Sequence, residues 1–180
     1  MSNLELKDII REMIVLDLIC QEEEAQLKIA IFGGAALLMH LGDDVFRATQ
    51  DIDFRVEEVS SKEKLKRIMD LKPGVFHPLG MFPEFPDQEL YQENGKEYFE
   101  LEGIVFENLR IFLPSIEMLA LSKLMSNREK DLEDLKTKPI MDKCDLAMLQ
   151  ELVEEAKTYK YQTSEYNFHE WDGILKARKL

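Results

Sequence analysis

Residues 28–56, KIAIFGGAALLMHLGDDVFRATQDIDFRV, carry the chemistry of the chain and decide how its fold is read. Ile29 and Ile31 alternate with Lys28 and Ala30 in a short apolar run, the pattern of a buried strand. Gly33 and Gly34 end it. The helix-forming AALLMHL follows, so the glycine pair stands where a strand turns into the first turn of a helix. With no Cβ at either position, a ligand can approach the backbone. The unpaired N–H groups of a first helical turn, together with the positive end of the helix dipole, suit a phosphate. Gly42 closes the helix. In Asp51-Ile52-Asp53-Phe54, period-two alternation on a strand then puts both carboxylates on one face and Ile52 and Phe54 on the other.

Such a pair of carboxylates is suited to a divalent metal. Moving a nucleotidyl group requires its phosphate charge to be neutralised and its attacking and leaving oxygens to be aligned, and divalent metals do both. Magnesium is usually held by one or two carboxylates, with water and substrate phosphate completing its octahedron. Asp51 and Asp53 meet that requirement.

The order strand, Gly33-Gly34, helix, Arg47-x-Thr49-x-Asp51-Ile52-Asp53 resembles the nucleotidyltransferase superfamily related to DNA polymerase β. Its nearest branch is similar to the small bacterial proteins that include the AbiE-type abortive-infection toxins. A second match lies in Leu113-Pro114-Ser115-Ile116-Glu117-Met118-Leu119-Ala120-Leu121-Ser122-Lys123, followed by Arg128-x-Lys130-Asp131-x-x-Asp134-Leu135. It resembles that branch's lysine-bearing helix and its R-x-K-D-x-x-D-L segment. The resemblance implies a nucleoside triphosphate substrate and Mg2+ or Mn2+ as cofactor. It gives Asp51 and Asp53, with a third acid, the metal-binding and catalytic roles, and gives Gly33, Gly34, Arg47, Thr49 and Lys123 to the nucleotide. The superfamily places the third acid on a strand next to the D-x-D strand, between apolar residues. Phe99-Glu100-Leu101 fits best, with Glu97, Glu102 and Glu107 as rivals.

Plainer readings exist for each part. A glycine pair after a strand is often only a turn, and D-x-D at a strand end is often a solvated face. A haloacid-dehalogenase phosphatase also carries D-x-D, but in the pattern DxDx[T/V], and position 55 here is Arg. A sugar-nucleotide glycosyltransferase needs a longer run of alternating strands and helices than this chain shows. The joint spacing favours the nucleotidyltransferase.

The length of 180 residues suggests one domain with an appendage, and 45% hydrophobic with 33% charged residues places the chain among globular proteins. A net charge of -13 argues against a broad grip on a nucleic acid backbone, which needs a basic surface. It would also repel a free triphosphate, so an enzyme of this kind depends on its metal and a few placed cations. No apolar run reaches membrane-spanning length, and MSNLELKDIIREM lacks the core of a signal peptide, so no membrane association and a cytoplasmic address are expected. Cys20 and Cys144 lack C-x-x-C spacing and read as free, buried thiols.

Leu4 to about Gln26 reads as an amphipathic helix with Leu6, Ile9, Ile10, Met13, Ile14, Asp17 and Cys20 along one face. Ser60-Ser61-Lys62-Glu63 opens a second helix, which Pro73-Gly74 stops. Between Pro73 and Gly95 stand four of the six prolines, among Phe76, Phe82 and Phe85, which reads as a long loop acting as a lid or a cover. His77 has no partner at metal-ligand spacing, and His40 and His169 are far from it in sequence. Glu97–Leu101 and Val105–Phe112 read as two strands. Ser115 caps the next helix, on which Lys123 shares a face with Ile116, Leu119 and Ala120; such a lysine meets either a ligand phosphate or a carboxylate such as Asp131 or Asp134. Arg128 and Lys130 read as solvated charges. A helix over Asp142–Lys157 precedes a tail with Tyr159, Tyr161, Tyr166, Phe168 and Trp171, which packs back on the domain or contacts a partner or RNA.

The expected fold is α/β (α+β): a small mixed sheet carrying the D-x-D strand, flanked by helices and followed by a helical C-terminal part. Residues 1–140 are expected to form the core and 141–180 an extension. The expected activity is metal-dependent transfer of a nucleoside monophosphate to an unknown acceptor, protein or RNA, possible in a toxin–antitoxin setting with a homodimer or an antitoxin as partner. The alternative is a non-catalytic interaction module on the same fold.

Overall fold

The computed structural model describes residues 3–43, 48–79, 98–137, 139–158 and 167–178. By their contacts these fall into two compact units, 3–79 with 98–114, and 115–178.

The first unit is built on a five-stranded mixed sheet. Helix α1 (Leu6–Glu22) leads into β1 (Leu27–Ile31), then α2 (Gly33–Leu41), β2 (Ile52–Val59), α3 (Lys62–Leu71), β3 (Phe76–Pro78), β4 (Tyr98–Glu100) and β5 (Leu109–Pro114). The strand order is β3-β2-β1-β5-β4. β1 runs antiparallel to β2 and parallel to β5, β2 parallel to β3, and β4 antiparallel to β5. One sheet face is apolar because alternation puts Ile29, Ile31, Ile52, Phe54, Leu109 and Ile111 in the interior, where Ile9, Met13, Leu16 and Cys20 of α1 and Ala35, Leu37 and Leu38 of α2 are also buried. Phe54 meets Phe76 edge to face, with ring centroids 5.6 Å apart, which ties β3 to β2.

Helix α1 is shorter than its sequence pattern suggests, and its inner face is Ile9, Met13, Leu16 and Cys20. Ile14, placed on that face above, is 46% exposed. Asp17 faces polar partners, accepting hydrogen bonds from the backbone N–H groups of Glu107 and Asn108. The hydroxyl of Ser61 caps α3 by accepting from the Lys64 N–H.

The second unit is helical among the described residues: α4 (Ile116–Leu124), α5 (Glu129–Thr137), α6 (Ile140–Lys143), α7 (Leu146–Thr158), a 3-10 turn (Asn167–Glu170) and α8 (Trp171–Arg178). Ser115 caps α4 through the Met118 N–H. The helix expected over Asp142–Lys157 is two helices. Asp145 separates them, its carboxylate accepting from the N–H groups of Ala147 and Met148 while its own N–H is bound by Glu117. Phe168 and Trp171 are buried, and the Trp171 indole donates to Gln150. The tyrosines at 159, 161 and 166 lie outside the described residues. No helix is long and apolar enough to cross a membrane among the described residues.

Candidate active site

The end of β1 and the start of β2 bring the glycine pair and the D-x-D motif together. Ile31 pairs with Phe54 across the antiparallel ladder, and the Phe32 N–H donates to the Asp53 carbonyl at 2.8 Å. The turn into α2 therefore lies directly against Asp53. Gly33 has φ +62°, a left-handed conformation that favours glycine, and a Cβ built there would lie 2.6 Å from Asp53 Oδ2. A Cβ at Gly34 would lie 2.7 Å from Thr49 Oγ1. The two glycines thus make room for the side chains of the D-x-D segment itself. No side chain caps the start of α2 among the described residues.

Thr49 is buried and holds the approach to β2. Its backbone exchanges hydrogen bonds with Leu4, and its hydroxyl donates to the Asp51 carbonyl at 3.2 Å. Asp51 and Asp53 are partly exposed, so their carboxylates remain accessible to a ligand.

Sequence spacing did not show a third residue beside the two acids. β3 runs parallel beside β2 with Asp53 opposite His77, and the His77 Nδ1 lies 3.4 Å from Asp51 Oδ2. Ligand atoms of Asp51, Asp53 and His77 all lie within 4.8 Å of one another. For metal–ligand bonds of about 2.1 Å, neighbouring donors stand about 3 Å apart and opposite donors about 4.2 Å, so small side-chain rotations would gather all three round one ion. The stretch that reads as loop from Pro73 contains this strand. The signal was non-local, because only the pairing of β3 with β2 puts His77 beside the acids.

The expectation that Glu100 lies on a strand next to D-x-D does not hold. The neighbours of β2 are β1 and β3, whereas Glu100 lies on β4, with β1 and β5 between. At about 4.8 Å per strand that is about 14 Å of sheet. Glu100 instead grips the Arg110 guanidinium with both oxygens, at 2.9 and 2.8 Å, and that hydrogen bond holds its carboxyl below the usual range. Glu102 and Glu107 are exposed in the connection before β5, and Glu97 and Arg47 lie outside the described residues. The strand expected from Val105 begins only at Leu109, and Val105 is 95% exposed.

Within the second unit, Lys123 is only 6% exposed and donates to Asp131 and Asp134, each at 2.8 Å. Ser126 and Arg128 complete the cluster by donating to Asp131. Burial pushes the Asp131 carboxyl up, but Lys123, Ser126 and Arg128 outweigh it and leave it below its ordinary value. Of the two partners open to this lysine, the fold supplies the carboxylates.

A mixed sheet flanked by helices, with a glycine turn packed on a D-x-D strand, is consistent with a nucleotidyltransferase-like fold. Residues 5–177 match the family described as "Nucleotidyltransferase of unknown function (DUF6036)", and the chain belongs to that family. Neither the curated proteins nor the solved structures give a match.

Proposed function

We propose that the chain transfers a nucleoside monophosphate from a nucleoside triphosphate to an acceptor hydroxyl, with pyrophosphate as product. The observation that supports this is the packing of Gly33 against Asp53, which sets that carboxylate beside the start of α2 with a carboxylate oxygen of Asp51 within 4.8 Å of it. Asp51 and Asp53 would hold Mg2+ or Mn2+, which when bound neutralises the phosphates and orients them. The first turn of α2, from Gly33 and Gly34, would meet the triphosphate, and Thr49 fixes the approach to Asp51. Arg47 is proposed to contact the nucleotide, as the resemblance implies. The order of motifs, continuing into the lysine-bearing helix and Arg128-x-Lys130-Asp131-x-x-Asp134-Leu135, supports an AbiE-like setting in which the acceptor is a protein or RNA and the partner an antitoxin.

The test is transfer of label from an α-labelled nucleoside triphosphate to protein or RNA, with Mg2+ or Mn2+. The wild-type chain is expected to label an acceptor and Asp51→Asn/Asp53→Asn to fail. A second reading is a non-catalytic interaction module on this fold, favoured by the distance of Glu100 from β2. It predicts no transfer with any of the four triphosphates, and partner binding unchanged in the double variant.

A further inference from the structure

The two aspartates leave open which ion the site prefers, and the strand pairing bears on it. His77 lies opposite Asp53 on the adjoining strand, with its Nδ1 3.4 Å from Asp51 Oδ2, and the three donors fall within 4.8 Å of one another. Its side chain is 48% exposed and that of Asp51 38%, so neither is committed to the core. The Cβ-free surface of Gly33 gives the Asp53 carboxylate its place on the same side. We propose that His77 is the third protein ligand of the Asp51–Asp53 site, and that this O,O,N donor set takes a first-row transition ion such as Mn2+ in preference to Mg2+. The proposal rests on the metal-binding reading of the two aspartates.

The chemistry follows from ligand hardness. Mg2+ strongly prefers oxygen and gains little from an imidazole, whereas imidazole is a good ligand for first-row transition ions. Two aspartates alone leave most of the coordination shell to nucleotide and water, so their ion would arrive with the substrate. A third ligand lets the chain hold Mn2+ before any nucleotide binds. The plainer account of the same geometry is an ion pair between His77 and Asp51. It predicts the opposite sign: removing the imidazole would free Asp51 and leave metal affinity equal or higher.

The experiment titrates the full chain with Mn2+ alone and with Mg2+ alone by calorimetry, and records pulsed electron paramagnetic resonance of the Mn2+ complex. The variants are His77→Ala, His77→Asp and Asp51→Asn/Asp53→Asn. Removing outer-shell partners alone typically costs 10–100-fold in metal affinity, so His77→Ala is expected to weaken Mn2+ by at least about tenfold and Mg2+ much less. The nitrogen modulation present in the wild-type spectrum should disappear with it. His77→Asp should restore tight binding and shift the preference toward Mg2+. Unaltered Mn2+ affinity in His77→Ala, or no nitrogen modulation in the wild type, overturns the role of His77 while leaving the aspartates in place. Unaltered Mn2+ binding in the double aspartate variant removes the underlying reading instead. Melting curves of His77→Ala should match the wild type, since the side chain is half exposed.

Discussion

Two pairs of aspartates in this protein meet opposite fates. Asp131 and Asp134 are 2% and 3% exposed, and their counter-charge is built in: Lys123 binds both, and Arg128 adds to Asp131. Asp51 and Asp53 are partly open to solvent and stand beside a half-exposed histidine. A buried carboxylate pair needs its cation supplied by the fold, because desolvation is too costly otherwise. An open pair can take its cation from solution. Spacing alone would rank D-x-D and D-x-x-D as similar signals, but the difference lies in burial and in the lysine.

The largest effect should come from breaking the closed pair. Lys123→Met removes the buried ammonium that both carboxylates share, and removing one partner of such a cluster costs about 3–5 kcal/mol, read as a fall in the denaturation midpoint. If Lys123 instead served a phosphate, the variant would melt like the wild type and bind nucleotide more weakly.

Gly33→Ala ranks next. Left-handed φ costs about 1–2 kcal/mol for a residue with a Cβ, and here the methyl also collides with the Asp53 carboxylate. Gly74→Ala is the control, because its φ lies outside the left-handed region and a Cβ built there has nothing within 4 Å. Chemical denaturation should show Gly33→Ala losing more than Gly74→Ala, and only the first should lose metal binding.

Acid should test the closed pair through Asp131. Asp131 ionises more readily in the folded chain than its ordinary value of 3.8. Its contribution is therefore complete above that value and is lost as pH falls through the folded pKa. Urea midpoints measured downward from pH 5 should fall in this range for the wild type, and Asp131→Asn should flatten that part of the profile. A profile unchanged by the substitution would contradict the closed-pair account.

The smallest effect belongs to the open pair. Asp51→Asn should shift stability by less than about 1 kcal/mol, as partly exposed charges do, while weakening Mn2+ binding. A loss as large as that of Lys123→Met would mean that the open pair is structural after all.

Much of the fold was legible where its signals are local. The Ile29/Ile31 alternation, the glycine pair and the Ser61 and Ser115 caps each depend on residues a few positions apart, and each element formed where its pattern indicated. Elements depending on distant partners were harder to read. Val105 is apolar and β-branched, yet β5 begins only at Leu109, where pairing with Leu27 becomes available. His77 lies in a proline- and phenylalanine-rich stretch whose composition suggests a loop. Pairing with β2, with Phe76 packed on Phe54, makes it a strand. Glu100 sits on a strand with apolar neighbours, as expected, but sheet order and not local pattern decides which strand lies beside D-x-D. The grouping of Asp51 and Asp53 with the glycines was thus readable, and the histidine beside them was not.

β3 lies at the outer edge of the sheet among the described residues, and it is three residues long. An open edge invites pairing with a neighbouring chain, and brevity limits that hazard. Pro78 limits it further, since it has no N–H to offer an incoming strand. The border that carries His77 is therefore poorly suited to templating aggregation, even though its imidazole stays open to solvent.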